Sequence, residues 1–125
     1  MRIGELAQLA GTSTRSLRYY EAQGLLPARR APNGHREYDE SDLRLVQEIR
    51  SLLEIGFALE ETRPFVECLR AGNRAGDVCP ASIEVYRRKL AELDKGITRL
   101  NEIRSRLAAQ LAAVQERPHP HQCEH

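Results

Sequence analysis

Apolar residues recur at helical spacing in five stretches, each broken by glycine or proline. Ile3, Leu6, Ala7 and Leu9 mark one face of a short helix that Gly11 stops, because glycine takes the left-handed conformation of a helix C-cap without penalty. Ser13 or Thr14 then caps a second helix, RSLRYYEAQGLL. In it Leu17, Tyr20 and either Ala22 or Leu25 pack inward, while Arg15, Arg18 and Tyr19 point elsewhere. Two short helices joined by a glycine turn suggest a helix-turn-helix, with the recognition helix over about 13–24. Pro27 breaks that helix, and Asn33-Gly34 supplies the positive φ values of a tight turn, so 27–38 reads as a β-hairpin wing. Asp39 and Ser41 offer caps for a helix over 40–55, whose core stripe is Leu43, Val46, Ile49, Leu52 and Leu53. Gly56 ends it, and a shorter helix over 59–71 takes Pro64 in its first turn and closes at Gly72.

Residues 1–72 thus form one region, and 73–79, with the glycine-rich run GNRAGDV, read as a linker. Pro80 restarts a helix. From there Ile83, Tyr86, Leu90, Leu93, Ile97 and Leu100 follow one another at spacings 3-4-3-4-3, and Ile103, Leu107, Leu111 and Val114 continue the seam. Arg104 takes a place the strict repeat gives to an apolar residue, which shifts the contact there to Ile103. A helix over 80–115 is roughly 50 Å long, more than a domain of this size can cover by itself, so it needs a partner. Residues Ile83, Tyr86, Leu90, Leu93, Ile97, Leu100, Leu107 and Leu111 are its candidate dimerisation set. The tail, 116–125, holds two prolines and no periodicity and reads as flexible.

Charge changes the picture only when it is divided. The net is +1 over 125 residues, yet residues 1–38 carry six Arg against three Glu, residues 39–80 five basic against nine acidic groups, and the remainder eight against six. A basic helix-turn-helix followed by an acidic segment presents one end to phosphate. No apolar run is long enough to cross a bilayer, and the first residues lack the apolar core of a signal peptide, so the expected location is the cytoplasm with no membrane partner. Three cysteines, Cys68, Cys79 and Cys123, are unlike a disulfide framework and point instead to reduced thiols, metal ligands or a redox sensor.

The run MRIGELAQLAGTSTRSLRYYEAQGLLPARRAPNGHREYDESDL resembles the N-terminal signature of the MerR family of transcriptional regulators, and QEIRSLLEIGFALEETRPFV resembles that family's third and fourth helices. RYYE, GLL, NGHREY and IGF together carry the likeness, which extends to about residue 115. It implies a mainly α fold: a winged helix-turn-helix followed by a long antiparallel coiled-coil dimerisation helix. It also implies a homodimer on a pseudo-palindromic operator, in a promoter whose spacer is too long for RNA polymerase. An effector would then change how the protein distorts that DNA.

Residue chemistry agrees. Thr14, Arg15, Arg18, Tyr19 and Tyr20 on the recognition helix are candidates for phosphate or base-edge contact, arginine's fork being suited to bidentate contact with guanine. In the wing Arg29, Arg30, His35 and Arg36 surround the turn and suit an adjacent minor groove, with Tyr38 bracing the wing against the helices. The effector is open between a divalent metal, an oxidant and a small organic ligand held between the helices. The resemblance to metal-sensing members implies that Cys79, at the head of the long helix, lies near the partner's tail; there either Cys123, His119 and His121 complete a thiolate and imidazole set suited to zinc, or the tail is mobile and its histidines incidental. The tail lacks the paired cysteines of copper or mercury sensors. A thiol at a helix N-terminus is also reactive, with Cys68 either its redox partner or a small core residue.

Other functions fit less well. The chain holds no glycine-rich phosphate loop, no HExxH and no nucleophile with a base at a recognisable spacing, so it does not read as an enzyme. An effector-independent DNA-bending protein is the nearer rival, but a pure bender needs neither the heptad helix nor the cysteine at its head. A coiled-coil module whose N-terminal region binds protein differs in its salt dependence.

Overall fold

The caps named above set the observed helix ends. The structure, a computed structural model, describes residues 1–28 and 30–117. Helix α1 spans Ile3–Ala10 and stops at Gly11, whose φ of 69° is the left-handed C-cap. Helix α2, Thr14–Ala22, starts at Ser13, whose hydroxyl accepts from the Ser16 amide at 3.1 Å. Helix α3, Glu40–Ile55, begins in a reciprocal capping box: Asp39 Oδ1 accepts from the Asp42 amide, and Asp42 Oδ2 from the Asp39 amide. A 3₁₀ turn over Leu59–Thr62 leads into α4, Arg63–Arg70, with Pro64 in its first turn where no amide is needed. Helix α5 runs unbroken over Pro80–Glu116.

Two compact units divide at Arg87 and Arg88. In the first, Leu6, Leu17, Tyr20, Leu25, Leu26, Tyr38, Leu45, Val46, Ile49 and Val66 form one buried core under α1 to α4. A second cluster joins Leu52, Phe57, Phe65 and Val85, with Tyr86 against it. There the rings of Phe57, Phe65 and Tyr86 meet edge to face, with centroids 5.1 to 6.0 Å apart. The first turns of α5 therefore belong to the packed unit. The second unit, from Arg88, is the rest of α5, and its Leu90, Leu93, Ile97, Leu100, Ile103, Leu107, Leu111 and Val114 are all exposed.

Four details depart from the sequence expectations. Leu9 is 60% exposed, because Leu6 and Ala7 already fill the face α1 turns inward. Tyr86, placed on the dimer seam by spacing, packs against Phe57 and Phe65 of its own chain, while its neighbour Val85 is the buried residue. Among the described residues the wing hairpin is reduced to one isolated bridge, Arg30 to Arg36. Its turn closes from the Gly34 amide to the Ala31 carbonyl at 2.9 Å, with Gly34 at φ 86°. Proline at 27 and 32 withholds the amides that a longer ladder requires.

The fourth is the linker. Residues 73–79 are a packed loop: the Asn73 side chain donates to the Cys68 carbonyl at 2.9 Å, Arg44 to the Arg74 carbonyl at 2.8 Å, and the buried Ser82 hydroxyl to the Gly76 carbonyl at 2.5 Å. Gly76 is there for close approach, since a Cβ would lie 2.9 Å from the Phe65 carbonyl oxygen. Within the loop's frame Cys68 and Cys79 are joined by a disulfide.

Candidate nucleic-acid interface

Helix α2 has two faces. Leu17 and Tyr20, three apart, are buried, and this turns Arg15, Arg18 and Tyr19 to solvent, Tyr19 with 54% of its surface exposed. Thr14, at the first helical position, is half-buried. The outward face is thus two guanidiniums and a phenol on one and a half turns of helix, groups of the kind that meet phosphates and base edges. Tyr20 does not belong with them: it is only 6% exposed, and burial pushes its hydroxyl up in pKa, partly offset by Arg50.

Wing residues divide in the same way. His35 and Arg30 are exposed, Arg30 donating to the Gly34 carbonyl at 3.0 Å and so stiffening the tip. The His35 amide donates to Asn33 Oδ1 at 3.1 Å. Arg36 and Tyr38 turn inward instead. Glu21, one turn after Arg18 on α2, is 6% exposed at its side chain and accepts from Arg36 at 2.9 Å and from the Tyr38 hydroxyl at 2.7 Å. Burial first, then the Glu21 hydrogen bond and charge, raise the Tyr38 hydroxyl to about 12. Tyr38 is thus buried against Glu21, and Arg36 gives its fork to the same carboxylate. Tyr38 also exchanges backbone contacts with Met1, at 2.7 and 2.8 Å, fastening the end of the wing beside α1. Arg29 lies outside the described residues.

Sequence reasoning missed the groups that hold the helix-turn-helix from behind. Arg50 of α3 donates to the carbonyls of Ala10 and Gly11, at the end of α1. Arg63 and Arg70 of α4 donate to the carbonyls of Gln23, at 2.7 Å, and Gly24, at 3.5 Å, at the end of α2. Each places a cation on the negative end of a helix dipole and satisfies carbonyls left open there. The only signal in the sequence was arginine inside an otherwise acidic segment, which carries no information on its partner.

Of the metal and redox candidates, His119, His121 and Cys123 lie outside the described residues. Cys79 is bonded to Cys68, so its sulfur offers no thiolate to a metal, and the mixed zinc set lacks its donor from the helix head. Cys68 is 3% exposed and is that partner as well as a core residue. Among the described residues no other cluster of His, Cys, Asp or Glu could hold a metal ion, and no helix is long and apolar enough to cross a membrane.

A helix-turn-helix with a short wing and a basic outward face on its second helix, followed in the chain by a long heptad helix, defines a DNA-binding regulator. Comparison with known proteins agrees: residues 1–67 match the family model described as MerR HTH family regulatory protein, and residues 43–119 the one described as MerR, DNA binding. The HTH-type transcriptional regulator CueR of Escherichia coli is 32% identical over 111 residues, 87% of this chain and 79% of the relative. Nodulation protein NolA of a Bradyrhizobium species is 37% identical over 107 residues, 85% of this chain but 41% of the relative, so this chain spans about two fifths of that protein. Among solved structures, a transcription regulator of Ralstonia metallidurans in complex with lead(II) aligns with a TM-score of 0.63 at 28% identity, covering 98% of this chain and 92% of that one. HiNmlR, a MerR family regulator lacking the sensor domain and bound to promoter DNA, aligns at 0.57 and 25% identity, covering 93% and 86%. This chain belongs to the MerR family of DNA-binding transcriptional regulators.

Proposed function

We propose that the chain acts as a cytoplasmic homodimer that binds a pseudo-palindromic operator and, with RNA polymerase, controls a promoter with an over-long spacer by distorting its DNA. The observation that carries this reading is the outward face of α2, where Arg15, Arg18 and Tyr19 stand exposed while Leu17 and Tyr20 anchor the helix. Thr14, Arg30 and His35 extend the contact surface, and Glu21, Arg36 and Tyr38 hold the wing beside it. The exposed seam from Leu90 to Leu111 supports pairing of two copies through α5, Ile83 adding to its near end. Two copies fix the spacing of two half-sites, as a dimeric reader requires. An effector acts by favouring one of two DNA-bound shapes.

The test is operator binding by the full chain, using a duplex selected from a random library. Arg18→Ala should cost about 1–3 kcal/mol, tenfold or more in Kd, and reduce the steepness of the salt dependence while leaving the dimer intact. Unchanged affinity with an unchanged salt slope rejects α2 as the reading helix. Lead(II) binding by one structural relative supports asking whether this chain takes a metal, but the donor set at Cys79 does not fit one while the disulfide stands.

A further inference from the structure

Cys68 and Cys79 are eleven residues apart, with Cα atoms 5.9 Å apart, and they join the last turns of α4 to the head of α5. Their surroundings are built for both oxidation states. Cys79 precedes the first residue of a 37-residue helix, and its carbonyl already accepts from the Ser82 and Ile83 amides at 3.0 and 3.1 Å. Its sulfur therefore lies at the positive end of the dipole, and the Asn73 side chain donates to it at 3.4 Å. Both features favour thiolate over thiol. Cys79 is partly exposed, whereas Cys68 is 3% exposed. Cys68 Sγ lies 3.5 Å from the Ala75 carbonyl oxygen, so a reduced Cys68 finds an acceptor for its thiol proton without moving. An accessible, activated sulfur beside a buried one is the arrangement of an attacking and a resolving cysteine.

We propose that Cys68 and Cys79 are a reversible thiol–disulfide pair through which hydroperoxides set the DNA affinity of this regulator. The Cys79 thiolate attacks one peroxide oxygen; the S–O bond forms, the O–O bond breaks, and the departing alkoxide takes a proton to leave as alcohol, or as water from hydrogen peroxide. The Cys68 sulfur then attacks the Cys79 sulfenic acid; the S–S bond forms, the S–O bond breaks, and hydroxide leaves with the Cys68 proton as water. Two electrons pass from the two sulfurs to the peroxide, and a dithiol reductant returns them. The route to DNA is short. The bond grips the end of α4, and α4 is the helix whose Arg63 and Arg70 hold the end of the recognition helix. Oxidation fixes α4 to α5 and with it the seat of α2, so the oxidised state binds DNA more tightly.

This inference rests on the operator-binding reading, and its test separates the two. The full chain is reduced, used to select a duplex from a random library, then treated with hydrogen peroxide or with glutathione disulfide. Trypsin cuts at Arg70 and Arg74, so the bond appears as peptide 51–70 linked to peptide 75–87, with Cys123 still open to alkylation. The expected result is that bond from peroxide and a Kd tighter by about fivefold or more, the lower end of ordinary coupling between sites. Dithiothreitol should reverse it, and Cys79→Ser should bind the duplex but ignore peroxide. Equal affinity of oxidised and reduced wild type overturns the switch and leaves operator binding standing. Bond formation by glutathione disulfide but not by peroxide, or through Cys123, overturns the assignment of oxidant or of partner. A reduced and an oxidised chain that both fail to select any duplex sink the operator reading itself. The comparison of the two wild-type states decides the matter even where a cysteine variant folds poorly.

Discussion

Replacing Glu21 by Gln removes one charge from a carboxylate that is 6% exposed and leaves the shape of the side chain intact. Two donors converge on it, Arg36 at 2.9 Å and the Tyr38 hydroxyl at 2.7 Å. Hydrogen bonds to a charged group are worth about 1.5–3 kcal/mol each, and the amide keeps one acceptor oxygen while turning an N–H₂ toward the other donor. The Arg36 side chain is 39% exposed, so water takes over part of its loss. The net cost should be about 2 kcal/mol, close to a 10 °C fall in Tm for a unit of this size. Urea unfolding followed by circular dichroism measures it, and a double-mutant cycle with Tyr38→Phe should return a coupling of about 1 kcal/mol. The wing loses its anchor at the same time, and operator Kd should rise about tenfold, or 1.4 kcal/mol. The Tyr38 hydroxyl gives an independent readout. Its folded pKa of about 12 lies above the ordinary 10.0, so the stability it confers is complete below pH 10 and is lost as pH rises through 12. In Glu21→Gln the ultraviolet titration of Tyr38 should move down but stay above the ordinary value, because burial is the larger cause. A Glu21→Gln protein within about 0.5 kcal/mol of wild type, the usual range of inert surface changes, would falsify the brace.

Three further outcomes follow from the same structure. Ile97→Asp puts a charge in the exposed seam of α5, and because a symmetric dimer feels it twice, about 3–6 kcal/mol of pairing should vanish; sedimentation should show monomers at concentrations where wild type is dimeric. Reduction of Cys68–Cys79 opens a loop defined by a separation of eleven residues and should cost the first unit about 3 kcal/mol in denaturant, a loss absent in Cys79→Ser, which starts without the bond. Burial and then Asp77 raise the Glu48 carboxyl, so its contribution to stability is greatest in acid and falls as pH rises through the folded pKa. Glu48→Gln should therefore stabilise the protein at pH 7 to 8, with the gain shrinking toward pH 4; a gain that grows on acidification contradicts the assignment.

Helix ends were legible because their signals are local. Gly11, Ser13, Asp39 and Gly56 act on backbone groups within four residues, and the sequence displays both halves of each interaction. The inward face of α2 was half legible, since Leu17 and Tyr20 share a face at three-residue spacing, yet nothing local says whether a tyrosine there ends in core or on DNA. Interactions that cross the chain were not legible. Glu21 meets partners 15 and 17 residues away, and Arg36 looked like one more basic wing residue until its carboxylate was in view. Gly76 was mistaken for a linker glycine because freedom of rotation and room for a close carbonyl both select the same residue. The cysteine pair was read with its alternatives open, since eleven residues of spacing fit a sensor, a ligand and a core position equally well.

The arginines behind the helix-turn-helix bear on how the protein is made. Arg50 reaches back 39 and 40 residues, Arg63 reaches back 40, and Arg70 reaches back 46. On a ribosome adding about 5–20 residues per second, the carbonyls that end α1 and α2 wait roughly 2–10 s for these cations to be synthesised. Until then the end of α2 lacks the two cations that close it. A chain that ends before Arg63 thus carries the whole proposed reading face of α2 and lacks both cations that hold its end.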